Sequence, residues 1–143
     1  EMLNVLIVDD SAVMRAMIGR TLEMAGLPVR SVQEAGHGAE ALQILEDSWI
    51  DLALVDINMP VMDGEAFLEA VRGDPLLRDL AVVVVSTESS RPRIERIEGR
   101  GAAFVHKPFT PEQLRAAVVD LTGVNQDGQQ AGQAALGSGG GDF

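Results

Sequence analysis

Asp9, Asp10, Asp56, Ser86 and Lys107 are the residues whose types and placement can do chemistry together, because each follows closely on a short apolar run. Three carboxylates held close repel one another, and one of them takes up a proton unless a cation intervenes. A hard, oxygen-liganded divalent ion such as Mg²⁺ suits them, since it is held by one or two carboxylates, keeps several waters and can engage a phosphate oxygen. A carboxylate can also act as a nucleophile toward a phosphoryl group. A metal and a positioned Lys then neutralise charge on the group in transfer, and a Ser hydroxyl can hydrogen-bond a phosphoryl oxygen. These residues together contain the parts needed to make an aspartyl phosphate. Taken singly, each has a plainer role. Asp9 and Asp10 would be acids at a helix start, Asp56 a turn residue before Asn58, and Lys107 a solvated cation. Their arrival on one edge of one sheet is what argues for a site.

The elements that must position them are legible from periodicity. Leu3 to Val8, Val29 to Ala35, Leu52 to Val55, Ala81 to Val85 and Ala103 to His106 read as strands. Between and after them lie helical patterns. Met14, Met17, Ile18, Leu22 and Ala25 recur at helical spacing after Ser11 as a cap, and Gly26 and Pro28 end that helix. Helices are further expected over Ala39 to Glu46, Glu65 to Arg72, Pro92 to Arg100 and Pro111 to Leu121, the last with Thr110 as its cap. Five apolar strands alternating with five helices imply an α/β fold, a doubly wound five-stranded parallel sheet flanked by five helices. In such sheets ligands bind beyond the carboxyl ends of the strands.

Composition narrows the function. The 143 residues suit one domain. A net charge of −11, from 22 acidic and 11 basic residues, disfavours direct nucleic-acid binding and anionic membranes. Aromatic residues make up 3%, too few for base-stacking platforms. The longest apolar run, Leu80 to Val85, is far shorter than the ~20 residues of a membrane-spanning helix. The absence of cysteine excludes disulfide scaffolds and thiolate metal sites, in keeping with a cytoplasmic location. The N-terminus lacks the basic start of a secretory signal, and Glu1 before Met2 reads as a cloning remnant. From Thr122 to Phe143 the text holds seven of the 15 glycines and no Lys or Arg, as a flexible tail or linker would. The expected organisation is a folded domain over 2–121 and a Gly/Gln-rich tail over 122–143.

The texts VLIVDDSAVMR, LALVDINMPVMDG, VVVVSTES and FVHKPFTPEQL together resemble the receiver domain of bacterial two-component response regulators. The stretch from Asp56 to Gly64 is especially similar to CheY-like single-domain receivers. The resemblance implies a flavodoxin-like, CheY-like fold and gives the residues their roles. Asp56 would be the phosphoacceptor. Asp10 and Asp56 would ligate Mg²⁺ directly, Asp9 through a water, and the backbone carbonyl of Asn58 would complete the set. Lys107 would contact the phosphoryl group, and Ser86 would hydrogen-bond it and move toward it on activation. Asn58 and Glu88 would flank the attack path. Phe104 stands where the family carries a rotating aromatic, often Tyr. Without the hydroxyl, any switching there would rest on ring packing, and a plain core residue is the other reading. The implied partners are a sensor histidine kinase and a downstream target bound on the face made by helix 4, strand 5 and helix 5. A monomer is expected, with the helix-4 face available for pairing on activation.

Other features are weighed on their residues. Arg93, Arg96 and Arg100 fall at i, i+3 and i+7, on one helix face. They read either as a solvated face with Glu95 and Glu98 as local partners, or as a docking surface for an acidic segment. His106 must point away from Lys107, to the side of Phe104, and His37 reads as a loop residue. Trp49, the only tryptophan, lies seven residues before Asp56, some ~20 Å away along the strand. The expected protein is a non-enzymatic signalling switch that promotes its own phosphorylation and dephosphorylation. The alternative is a receiver module cut from a larger regulator, whose effector would be a methylesterase, an output enzyme or a DNA-binding domain. A phosphatase with an Asp nucleophile is a third reading, disfavoured because Asn58 stands where a second Asp is expected. A pseudo-receiver that binds without phosphorylation is a fourth.

Overall fold

The computed structural model describes residues 2–124. Five strands, β1 (Leu3–Val8), β2 (Val29–Ala35), β3 (Leu52–Val55), β4 (Ala81–Ser86) and β5 (Ala103–His106), form one parallel sheet in the order β2-β1-β3-β4-β5. The helices are α1 (Ala12–Met24), α2 (Gly38–Asp47), α3 (Gly64–Gly73), α4 (Arg91–Gly99) and α5 (Pro111–Thr122). The fold class is the one expected from the sequence.

Side-chain alternation along the strands builds two cores. Leu6, Val8, Ala53, Val55, Val82 and Val84 face α2, α3 and α4, where Leu45, Phe67, Leu68 and Ile97 meet them. Val5, Ile7, Leu54, Val83, Val85 and Val105 face α1 and α5, where Ile18, Leu22, Leu114 and Val118 meet them. The central strands are buried on both faces, which is why β3 and β4 read as unbroken apolar runs. Edge strand β2 alternates between exposed and half-buried positions, so its pattern is the weakest.

Helix starts are fixed by side chains that satisfy otherwise unpaired N–H groups. Ser11 Oγ accepts from Met14 N–H, Asp63 Oδ1 from Ala66 N–H, and Thr110 with Gln113 forms a reciprocal capping box. His37 is more than a loop residue, because its Nδ1 accepts from Glu40 N–H at 3.2 Å and caps α2. Gly123, at φ 75°, closes α5 in the left-handed conformation, and Val124 behind it is buried. The fold thus continues past the expected limit at Leu121. Of the expected tail over 122–143, residues 125–143 lie outside the described ones.

Arg72, near the end of α3, ties two loops together, the one before β4 and the one before β5. Its guanidinium donates to the carbonyls of Arg100, Arg78 and Leu80, at 2.6, 3.0 and 2.8 Å. Burial of the guanidinium pulls its pKa down, opposed by the nearby Asp79.

Candidate functional site

The point where strand order reverses lies between β1 and β3, with β2 built on one side and β4 and β5 on the other. Asp9 and Asp10 leave the end of β1 there, and Asp56 leaves the end of β3. The Asp56 N–H donates to the Val8 carbonyl at 2.9 Å and the Asp9 N–H to the Ala35 carbonyl at 3.1 Å, which extends the ladder to the rim. Asp9 is buried at 2 % exposure, Asp56 is half-buried and Asp10 is open to solvent. One carboxylate oxygen from each of the three lies within 4.8 Å of the others.

Lys107 reaches the same point from β5. Its N–H donates to the Ser86 carbonyl at 2.8 Å. Its Nζ lies 3.5 Å from Asp9 Oδ2 and 3.6 Å from Asp56 Oδ1. The Lys107–Pro108 peptide is cis. Asp9 Oδ1 accepts from Ser11 N–H at 2.9 Å, so Asp9 also serves the helix-starting role considered for it from sequence. Asp56 Oδ1 accepts from Ile57 N–H at 2.9 Å.

One ammonium therefore faces three carboxylates. The Asp56 carboxyl is held above the ordinary Asp range, first by burial and then by Asp9 and Asp10, while Lys107 and the Ile57 N–H oppose the rise. All three donors are hard oxygens, the single Lys107 ammonium pairs with Asp9 and Asp56, and charge remains uncompensated. This donor chemistry fits Mg²⁺.

The loop after Asp56 is tightly constrained. The Gly64 N–H donates to the Ile57 carbonyl at 2.8 Å, and a Cβ at Gly64 would collide with the Asp56 carbonyl oxygen. Met62 N–H donates to the Pro60 carbonyl at 2.7 Å, closing a three-residue turn centred on Val61 at φ 68°. A β-branched residue in that conformation is strained. The sequence gives no hint of it, since valine argues against a positive φ.

The remaining expected residues are distributed around the cluster. Ser86 is fully buried, and its Oγ accepts from Glu88 N–H at 3.1 Å. It follows Val82 and Val84 on the α3–α4 side of the sheet, whereas Lys107 follows Val105 on the α1–α5 side. Asn58 is exposed in the loop past Asp56. Phe104 is half-buried against the α2–α3–α4 core, and its ring centroid is 6.4 Å from that of exposed His106.

For the arginine stripe the structure corrects the choice of partners, since Arg93, Arg96 and Arg100 pair across to α3 and the loops beside it rather than with Glu95 and Glu98, while Arg96 and Arg100 remain open to solvent at 55 % and 39 % exposure. Arg93 pairs with Glu65 at 3.1 Å, Glu88 at 3.3 Å and Asp63 at 3.7 Å. Arg96 pairs with Glu65 at 2.8 Å and Arg100 with Glu69 at 2.9 Å. Glu95 and Glu98 each stand two residues from an arginine, on another side of the helix. The positive charge of the stripe is shared with acidic groups of the same chain, Glu65, Glu69, Glu88 and Asp63. Glu65 and Glu69, spaced i and i+4 on the neighbouring helix, were the signal available in the sequence.

The chain is similar to known proteins. The family model described as the response regulator receiver domain matches residues 5–119. A probable chemotaxis protein CheY of Rhizobium etli is 34% identical over 124 residues, covering 86% of this chain and 95% of that protein. The solved structure of the chemotaxis response regulator CheY4 of Vibrio cholerae superposes with a TM-score of 0.73 at 34% identity, covering 85% of this chain and 99% of that one. A cyclic di-GMP phosphodiesterase response regulator of Xanthomonas campestris pv. campestris is 33% identical over 135 residues, which are 94% of this chain and 35% of that protein. With the parallel sheet and the acidic rim already in place, these matches show that the chain belongs to the response regulator receiver domain family of two-component signalling, in its CheY-like form.

Proposed function

We propose that this chain is a phosphoacceptor switch in which Asp56 takes a phosphoryl group from a phosphohistidine of a sensor histidine kinase. The observation that carries this reading is the meeting of Asp9, Asp10 and Asp56 oxygens within 4.8 Å of one another, with Lys107 Nζ 3.6 Å from Asp56. Mg²⁺ would be held by Asp10 and Asp56 directly, by Asp9 through a water and by the Asn58 carbonyl, and when bound it supplies neutralising charge to the group in transfer.

An Asp56 carboxylate oxygen attacks phosphorus in line, the bond from phosphorus to the imidazole nitrogen breaks, and the nitrogen keeps the electron pair. Lys107 is placed to neutralise a phosphoryl oxygen. The Ser86 hydroxyl then donates to another oxygen, the β4–α4 loop follows, and Phe104 repacks in the space that is vacated. Water attacking phosphorus later releases inorganic phosphate and restores the Asp56 carboxylate. The chain therefore acts as a carrier of signal whose chemistry is confined to its own side chain. The new state is selected by the differential contacts of the phosphorylated Asp56 with the two conformations.

The resting chain is read as a cytoplasmic monomer. Its downstream target would dock on the face of α4, β5 and α5, where Phe104 and exposed His106 sit, and a role in chemotaxis is supported by the names of its CheY relatives. A second reading, a receiver module of a larger regulator, is favoured by the Xanthomonas match, in which the similar segment is 35% of a longer protein. Intact mass after incubation with acetyl phosphate tests the first reading. We expect a gain of one phosphoryl group that requires Mg²⁺. A folded protein that gains none, from acetyl phosphate or from a phosphorylated kinase, would contradict it. The length of the native reading frame separates the single-domain switch from the module.

A further inference from the structure

Arg93 joins the two loops that flank Asp56. On one side it binds Glu65 in the first turn of α3, at 3.1 Å, and Asp63, the α3 cap, at 3.7 Å. On the other side it binds Glu88 of the β4–α4 loop, at 3.3 Å. The pairs are partly shielded, with side-chain exposures of 25 % for Arg93, 17 % for Glu65 and 20 % for Glu88. Glu88 is fixed at both ends. Its Oε1 takes the Arg93 guanidinium and its Oε2 accepts from Ser90 N–H at 3.0 Å, while its backbone N–H donates to Ser86 Oγ. Any displacement of Ser86 must therefore carry Glu88, and Glu88 is tied through Arg93 to the start of α3. That start is itself held against the Asp56 loop, because Gly64 packs directly on the Asp56 backbone and its N–H donates to the Ile57 carbonyl at 2.8 Å.

We propose that Arg93 is a positioning residue of the switch, a tether that holds the β4–α4 loop to α3 and so opposes the movement of Ser86 that phosphorylation of Asp56 requires. The inference rests on the phosphoacceptor reading. It adds to that reading the element that sets the resting position. Breaking the tether on either side lowers the resistance to Ser86 movement, and raising ionic strength weakens it in the same direction.

The test is the rate of phosphoryl gain from acetyl phosphate in saturating Mg²⁺, followed by intact mass at low and at high salt. The proteins compared are the unmodified chain, Arg93→Gln, Glu65→Gln and Arg93→Lys, each with its thermal transition recorded to show that it is folded. Both Gln variants are expected to gain the group about fivefold faster at low salt, the effect of losing a partly shielded ion pair of ordinary strength. The ratio to the unmodified chain should fall toward one at high salt, which a merely structural role would not produce. Arg93→Lys keeps the charge and should return most of the way to the unmodified rate. Folded Gln variants that react at the same rate or more slowly, or a ratio indifferent to salt, would overturn the tether. If the unmodified chain takes up no phosphoryl group from acetyl phosphate or from a phosphorylated kinase, the phosphoacceptor reading falls and the tether with it, which is a different result from equal rates.

Discussion

Asp56 is costly to ionise, because burial raises its pKa above the ordinary Asp value, Lys107 works against the rise, and Asp9 adds to it. A carboxyl whose folded pKa exceeds its unfolded one binds more protons when folded, so its contribution to stability falls as pH climbs from the unfolded value through the raised one. Asp56→Asn removes that penalty. We expect the variant to melt at a higher temperature than the unmodified chain at neutral pH without divalent ions. We expect it also to lose most of the stabilisation that Mg²⁺ gives the unmodified chain. A lower melting temperature without metal would contradict this picture of three crowded carboxylates. Val61 gives a second prediction at the same scale. Replacing it by glycine relieves the strain of φ 68° and should stabilise the fold by about 1 kcal/mol in denaturant unfolding, the balance of strain relief against glycine's extra chain entropy. The acidic rim and Lys107 were legible in the sequence because each follows an apolar run that must be a buried strand. Val61, the His37 cap and the close approach at Gly64 were not, because they rest on local backbone conformations that these residue types do not announce.

At the scale of elements, the strands fall where the apolar runs place them, and the helices differ from expectation by a residue or so at their ends. What periodicity does not reveal is which helix faces which. The arginines of α4 were visible as a stripe, but their partners belong to α3 and to the loop before α4, and partner choice is set by tertiary packing. The stripe works as a clamp between two helices. Glu65 carries much of it, and hydrogen bonding from Arg96 holds its carboxyl below the ordinary value of 4.5, against the opposing effect of burial. A depressed folded pKa gives stability that is present above the unfolded value and lost as pH falls through the folded one. Glu65→Gln should therefore cost about 1 kcal/mol at neutral pH. Unfolding curves of the two proteins should converge only as the pH drops below about 4.5. A difference that stays constant from neutral to strongly acidic pH would show that Glu65 contributes packing alone.

For the whole molecule, alternating strands and helices dictate a parallel sheet covered on both faces. The strand order β2-β1-β3-β4-β5 does not follow from alternation, since right-handed crossovers permit several orders. It came with the resemblance carried by the rim residues. The same architecture separates the two ends of the sheet. Trp49 is 78 % exposed, and its indole N–H donates to Asp51 Oδ1 at 2.8 Å before β3 begins, at the end opposite the acidic cluster. Mg²⁺ binding should therefore leave intrinsic fluorescence almost unchanged, and a large quench would place the ion elsewhere or imply a change that spans the sheet. The most direct test of Asp56 as the phosphoacceptor is to treat the chain with acetyl phosphate and Mg²⁺, reduce any acyl phosphate with borohydride, and locate the altered residue by peptide mass. Reduction at Asp56, absent from Asp56→Asn, is the expected result. Reduction at Asp9 or Asp10, or none with either acetyl phosphate or a phosphorylated kinase as donor in a protein that is folded and binds Mg²⁺, would contradict it.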